Sequence, residues 1–166
     1  VLAAILGGVM ISRLFHEVRE KRGLGYYVRS SSDHYADCGS LVTTAGIDPK
    51  RVNEAITVMI DEFKGLKNNT KEKQITEKEL QKAKEFMKGH FVLELEDSRS
   101  VATFYAHQEL LEKSIENPSE IIKKIQNVTL DQVQGLAPKY FKEESLNLAI
   151  VGNFDNRQEF EKMLKL

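Results

Sequence analysis

The sequence contains one cysteine, three prolines, no tryptophan and no long apolar run. A single cysteine, Cys38, cannot form an internal disulfide, and a thiolate-based zinc cluster needs several cysteines. The apolar run that opens the chain ends at Gly7 and Gly8, far short of the ~20 residues of a membrane-spanning helix. It also has no charged leader or cleavage-site pattern. A disulfide-stapled scaffold, a cysteine-based zinc site, a signal peptide and a membrane interaction are therefore not expected.

An excess of one charge sign is also missing. The 24 Lys and Arg residues nearly balance 25 Asp and Glu residues, so no broad positive field is present to hold a nucleic acid. The composition, 41% hydrophobic and 30% charged, is typical of a folded domain, and 166 residues suit one domain. We therefore expect a single domain over residues 1–166. Because the chain opens directly in an apolar helix without a methionine, we also expect a fragment truncated at its N-terminus.

Helical signals dominate the chain. Apolar residues recur at helical spacing, and two capping boxes, Thr76 with Glu79 and Thr129 with Gln132, mark helix starts. The first predicted helix ends at 7–8. The others are predicted to run from 12 to about 22, from 48 through 63, from 76 through 111 with a break near 97–98, from 118 to 125, from 129 to about 140, and from about 156 onward.

Strand signals are fewer. Tyr26–Tyr35 and Ser40–Ile47 flank a turn at Asp37–Gly39 and predict an antiparallel hairpin. Leu146–Gly152 is apolar enough to be a third, central strand. A small, mainly antiparallel sheet against many helices predicts an α+β fold, a two-layer sandwich in which an upstream strand is missing.

Residues in catalytic or metal-binding patterns are scarce. None of the four histidines, His16, His34, His90 and His107, completes a His-x-x-Glu-His or His-Glu-x-x-His pattern. No Gly-x-Ser-x-Gly motif and no phosphate-binding glycine loop is present. We therefore interpret the histidines as packing or surface residues and expect no metal site on this chain. The lysine clusters at 71–73 and 84–88 are interpreted as solvated helix faces.

One segment, Ser12–Val28, combines a charged helix, a glycine and an aromatic strand. Arg19 lies in the last turns of the predicted helix, and Tyr26 opens the strand seven positions later. A helix-to-strand turn can bring a guanidinium and a phenol to one place, where both can bind a carbonyl oxygen or an oxyanion. Spacing alone favours the simpler interpretation, a surface arginine and a tyrosine on a sheet face.

The residues of this segment resemble those of a known family. Leu6–Gly8, Ser12–Phe15 and Glu17–Tyr26 are similar to motifs of the insulinase/pitrilysin-type zinc metallopeptidases, which include mitochondrial processing peptidase. The resemblance covers nearly the whole chain in the same order. Further matching segments are Tyr35–Gly39, Ala45–Pro49, Ile75–Leu80, Val128–Val133 and Leu148–Gly152.

The resemblance implies a LuxS/processing-peptidase-like metallohydrolase fold. Enzymes of this family are built from related α+β domains, one with an inverted His-x-x-Glu-His zinc site and another with an Arg/Tyr pair that holds the substrate; this chain resembles the second. It implies that Arg19 and Tyr26 bind the substrate peptide backbone and its oxyanion. It also implies that zinc belongs to a companion domain or subunit, with no catalytic residue and no metal ligand here, so that this chain alone is inactive.

The sequence also departs from the family pattern. Val9 and Ile11 stand where many relatives have a third glycine and a serine, which predicts a stiffer turn. The absent zinc motif leaves an alternative open, a non-catalytic structural or regulatory subunit related to the family. Apolar faces also allow self-association into a homo-oligomer, and a cytoplasmic location is expected if the protein is bacterial.

Overall fold

Two strands form an antiparallel hairpin. The computed structural model describes residues 1–112 and 114–166. In it β1 spans Gly25–His34 and β2 spans Gly39–Ile47, each within one residue of its predicted bounds. The predicted α+β class, a small antiparallel sheet packed by helices, is confirmed.

Five of the six α-helices in the described residues begin at a side-chain cap. Both predicted capping boxes are present, and Asp97 caps a new helix at the predicted break. Two π-helical segments, Ala4–Gly8 and Phe15–Glu20, precede the hairpin. The six α-helices of the described residues are α1 (Val52–Asn68), α2 (Glu77–Glu94), α3 (Ser98–Leu111), α4 (Pro118–Asn127), α5 (Leu130–Tyr140) and α6 (Arg157–Met163), with short 3-10 turns at Pro49–Arg51 and Glu143–Ser145.

The predicted third strand, Leu146–Gly152, is wrong. Leu146 has an extended backbone, but the sheet contains only β1 and β2, and residues 147–150 have no backbone hydrogen bond to any described residue. Val151 is fully exposed. An apolar, extended segment becomes a strand only where a neighbouring strand satisfies its N–H and C=O groups.

The core lies where the two π-helical segments pack between the hairpin and the helices. Leu6, Leu14, Val18 and Leu24 are fully inaccessible, and they join residues of α1, α2 and α5 in one cluster. The first segment approaches β1 so closely that a Cβ at Gly7 would lie 2.4 Å from the hydroxyl oxygen of Ser30. Within the described residues, 1–112 and 114–166, no helix is both long enough and apolar enough to cross a bilayer.

A half-buried ion pair joins the N-terminal part of the chain to α2. The Arg13 guanidinium donates to both carboxylate oxygens of Glu79, at 2.7 and 3.0 Å, and to the carbonyl oxygens of Lys73 and Gln74. Glu79 also accepts from the backbone N–H of Thr76. Partial burial opposes ionisation of Glu79, but the hydrogen bonds and charge of Arg13 and the bonds from Thr76 outweigh it, so the pKa of Glu79 is lowered.

Two lysines predicted to be solvated are instead structural. Lys84 is buried and donates to the carbonyl oxygen of Gln126 at 2.9 Å, which ties α2 to the end of α4. Lys73 pairs with the buried carboxylate of Glu62 at 2.8 Å. Charge patterning missed them because the methylene stem of a lysine can be buried while its ammonium reaches a single polar partner.

We predict that Glu79→Gln lowers the free energy of unfolding by about 1–2 kcal/mol at neutral pH, because a charged hydrogen-bond partner of Arg13 becomes neutral. Since the folded-state pKa of Glu79 lies below its ordinary value of 4.5, this loss is complete above that value. It disappears as the pH falls through the folded-state pKa. Urea unfolding at a series of pH values measures both effects.

Glu85→Gln is the matched control for this prediction. Glu85 lies on the same helix, is exposed, and is 4.0 Å from the ammonium of Lys88. Its replacement should change the free energy of unfolding by less than about 0.5 kcal/mol. Equal losses in both variants would show that the Arg13–Glu79 pair does not stabilise the fold.

Candidate functional site

The turn between the second π-helical segment and β1 reverses the chain over a short distance. Gly23 has a left-handed backbone, with φ of 55°, and its N–H donates to the carbonyl oxygen of Arg19. The N–H of Leu24 donates to the carbonyl oxygen of Val18 at 2.9 Å. The guanidinium of Arg51, which lies outside the turn, donates a hydrogen bond to the carbonyl oxygen of Arg22 at 2.8 Å and stabilises the turn. β1 therefore starts beside the helix that the chain has just left.

A β-bulge places Tyr26 on the outer face of the hairpin. Gly25 pairs with Ile47 and Tyr27 pairs with Gly46, so Tyr26 is one extra residue on β1. The inward-facing residue of β1 nearest to it is Val28, and strict alternation would direct Tyr26 inward as well. Because the bulge breaks that alternation, the Tyr26 side chain is 83% exposed.

Two glycines make room for the bulge. A Cβ at Gly25 would lie 2.3 Å from the carbonyl oxygen of Gly46, and a Cβ at Gly46 would lie 2.5 Å from the ring of Tyr27. Both distances are well inside van der Waals contact, so neither position accepts a side chain without displacing its neighbour. The backbones of the two strands therefore approach each other closely next to the bulge at Tyr26.

The structure brings Arg19 and Tyr26 together, although spacing alone favoured a surface arginine and a separate sheet-face tyrosine, and Phe15 joins them. The guanidinium carbon of Arg19 lies 5.8 Å from the ring centre of Tyr26 and 4.9 Å from that of Phe15. Both distances are within the range of cation–π contacts. We call these three residues the arginine–tyrosine cluster. Within residues 1–112 and 114–166, no protein group forms a hydrogen bond with the guanidinium of Arg19 or the hydroxyl of Tyr26.

Sequence reasoning missed the contribution of Phe15. It was noted only as part of the family motif Ser12–Phe15, and in the structure it is half-buried. The available signal was its position four residues before Arg19, because side chains at i and i+4 are neighbours on a helix. Phe15 thus has one side towards the core and one towards the guanidinium.

The charged residues around the cluster are paired with one another. The carboxylate of Glu17 accepts from Lys21 at 2.6 Å and from Arg22. Partial burial works against its ionisation, but these hydrogen bonds and charges outweigh burial and lower the pKa of Glu17. Arg19 differs from Lys21 and Arg22 because no carboxylate of the described residues lies within ion-pair distance of it. Its positive charge is therefore available to a ligand.

Three of the four histidines make separate local contacts. His16 pairs with Glu20 at 2.7 Å, His34 bonds to Ser32, and His90 stacks on Phe86. Over residues 1–112 and 114–166, no three His, Cys, Asp or Glu side chains group closely enough to hold a metal ion. The zinc that the family resemblance implies therefore has no ligand set in this part of the chain. The cluster can bind an anionic or carbonyl oxygen.

Two cavities lie away from the arginine–tyrosine cluster. One of 630 Å³ is bounded by α2, α3 and α4 and includes His107 in its lining. Another of 880 Å³ lies beside β2. Neither is lined by Arg19 or Tyr26, so the arginine–tyrosine cluster is an open surface that needs a second surface to enclose a ligand.

The chain is similar to known proteins over most of its length. Residues 1–87 match the family model described as the peptidase M16 inactive domain. The uncharacterized zinc protease YmxG of Bacillus subtilis is 37% identical over 144 residues, which are 87% of this chain and 34% of that protein. The probable inactive metalloprotease YmfF of the same organism is 25% identical over 134 residues, 80% of this chain and 30% of that protein. The chain spans about a third of the length of the curated relatives it matches.

Solved structures share the fold. A conserved protein from Enterococcus faecalis has a TM-score of 0.71 with 29% identity, and the match covers 82% of this chain and 31% of that one. The peptidase M16 inactive domain from Pseudomonas fluorescens has a TM-score of 0.71 with 24% identity, covering 84% of this chain and 32% of that one.

We predict that Gly23→Ala lowers the free energy of unfolding by about 1 kcal/mol, because alanine is strained in the left-handed conformation. No atom lies within 4 Å of a Cβ at this position, so a steric clash makes no contribution. Gly89→Ala is the control, since that glycine is helical and equally open. It should stabilise by about 0.5–1 kcal/mol. Thermal unfolding measures both, and a neutral Gly23→Ala would contradict the assigned turn.

Proposed function

The chain belongs to the peptidase M16 family, as a member of its inactive-domain group, and we propose that it is the substrate-binding, non-metal domain of a zinc endopeptidase. In this proposal Arg19 and Tyr26 bind the peptide backbone near the bond to be cleaved. A companion domain or subunit holds the zinc that activates water there. The observation that carries the proposal is the convergence of two exposed side chains, Arg19 and Tyr26, at a bulge next to a left-handed glycine turn.

The chemistry of the two side chains suits this role. A guanidinium presents a fixed fork of N–H donors with a permanent charge, and a phenol presents one O–H donor. Donors aimed at an oxygen that gains negative charge stabilise the transition state more than the ground state. Phe15 and the bulge hold the two side chains before the substrate arrives, which reduces the entropy lost on binding.

A structural or regulatory role within the same family is the second candidate. It is supported by the similarity to the relative named a probable inactive metalloprotease. Under this alternative, Arg19 serves only to cover the rings of Phe15 and Tyr26. The two candidates differ in one observable property, because only the first requires peptide binding or cleavage to depend on the Arg19 charge.

We predict that Arg19→Ala in the full-length protein, assembled with its companion domain, lowers kcat for peptide cleavage by about 10²–10³, the usual effect of losing one oxyanion donor. Arg19→Lys should restore part of this, since it keeps the charge and loses the planar fork. Arg157→Ala is the control, because Arg157 pairs only with Glu161 of its own helix among the described residues. If Arg19→Ala cleaves peptides at an unchanged rate, Arg19 does not bind the substrate, and the structural or regulatory role is favoured.

We also predict that Phe15→Leu lowers kcat/KM about fivefold, the value of a cation–π contact of about 1 kcal/mol, while Phe15→Tyr keeps most activity. The reason is that the aromatic ring orients the guanidinium of Arg19. In the Arg19→Ala background, Phe15→Leu should have almost no further effect, because the ring then has no guanidinium to orient. Fully additive losses in this double-mutant cycle would indicate that Phe15 acts only in the core.

A further inference from the structure

The outer face of the hairpin continues from the arginine–tyrosine cluster along β1. Beyond the bulge the side chains alternate again, so that Val28 and Ser30 are buried while Tyr27 and Arg29 are exposed. Arg29 therefore lies on the same side of the sheet as Tyr26. Because the bulge inserts one extra residue between them, the two side chains are two to three strand positions apart, about 7–10 Å at the rise of an extended chain.

The guanidinium of Arg29 carries a positive charge without a partner in the described residues. No carboxylate there lies within ion-pair distance of it, and no oxygen atom accepts a side-chain hydrogen bond from it. The acidic residue at an outward position of the same strand, Asp33, is four positions further on, about 13 Å away. Its carboxylate accepts from the hydroxyl of Ser40 instead. The N–H donors of Arg29 are therefore available to a ligand.

The neighbours of Arg29 on the sheet are a hydroxyl and an aromatic ring. Thr44 is its cross-strand partner and is exposed, and the Cβ atoms of such partners are about 5 Å apart. In the preceding row Tyr27 pairs with Gly46, and its ring lies over that glycine, because a Cβ at Gly46 would be 2.5 Å from the ring. Neither row contains an acidic side chain that could neutralise the guanidinium.

We propose that Arg29 determines specificity in a neighbouring subsite, where it binds an acidic side chain of the peptide substrate. This subsite rests on the proposed function, because it takes the peptide backbone to lie at Arg19 and Tyr26. An extended peptide has the same rise per residue as β1, so a side chain two or three residues from the cleaved bond reaches Arg29. An aspartate or glutamate at that position accepts charge-assisted hydrogen bonds from the planar guanidinium.

Charge favours an acidic side chain over the other possible occupants. Arg19 and Arg29 place two positive charges on one face, and neither has a carboxylate of the described residues within ion-pair distance. A lysine or arginine of the peptide would bring like charges together, which disfavours such substrates. Because this contact is away from the reacting bond, it stabilises the bound substrate and the transition state alike, and it should change KM more than kcat.

Peptide libraries that differ in one carboxylate test this subsite. Short peptides of mixed neutral residues, acetylated and amidated at their ends, carry either Glu or Gln at one scanned position, and mass spectrometry identifies the cleaved bond. With Glu two or three residues from that bond, the assembled full-length protein should have an about fivefold higher kcat/KM than with Gln, mainly through KM. Arg29→Gln should abolish this preference, and high salt should reduce it.

Charge reversal separates a direct contact from a structural effect. Arg29→Glu should prefer Lys over Gln at the same peptide position, a change that mere loosening of the hairpin would not produce. Arg157→Gln is the matched control, because Arg157 pairs only with Glu161 of its own helix among the described residues. This control should keep the preference of the unmodified protein for Glu.

The possible failures have different meanings. Equal cleavage of the Glu and Gln libraries by the unmodified protein would overturn the subsite, and so would an unchanged Glu preference in Arg29→Gln. In both cases the proposed function stands if Arg19→Ala still lowers kcat. If the assembled protein cleaves no library at all, the proposed function fails, and the subsite fails with it.

Discussion

The register of the hairpin, with its bulge at Tyr26, is the constraint on which the arginine–tyrosine cluster depends. Because side chains alternate along a strand, a slip of one residue would exchange the inner and outer faces. With the observed register, Val28 and Ser30 face the core, and Tyr26 faces the solvent. The same register directs the hydrogen-bonding groups of alternate β2 residues away from β1. Gly25 and Gly46 stabilise this arrangement because no larger residue fits where the strands cross.

Three arginines, Arg13, Arg19 and Arg51, have different roles, and their environments explain the difference. Arg13 donates to Glu79 and to two carbonyl oxygens, and its side chain is only 12% exposed, so its hydrogen-bonding capacity is used within the fold. Arg51 holds the turn at Arg22 and pairs with Glu54. Arg19 contacts two aromatic rings, which orient a guanidinium without occupying its N–H groups. The fold therefore fixes Arg19 in place while its donors remain free for a ligand.

Local signals explain how much of this structure the sequence could predict. Helix starts were predictable where a side chain caps the backbone, as at Thr76, Asp97 and Thr129, because a cap acts within three or four residues. The hairpin was predictable from β-rich segments around a turn. The pairing of Arg13 with Glu79 spans 66 positions and leaves no local pattern. The bulge at Tyr26 depends on the close crossing of Gly25 and Gly46, which only the folded hairpin brings together.

The error at Leu146–Gly152 differs from these omissions in kind. The composition of the segment is that of a buried strand, yet Val151 is fully exposed and no strand lies beside it among the described residues. Strand propensity reflects burial and cross-strand contacts more than an intrinsic backbone preference. A sequence with the composition of a central strand therefore implies neighbours on both sides. In the described residues those neighbours are absent, so the composition of the segment predicted a pairing that the sheet does not contain.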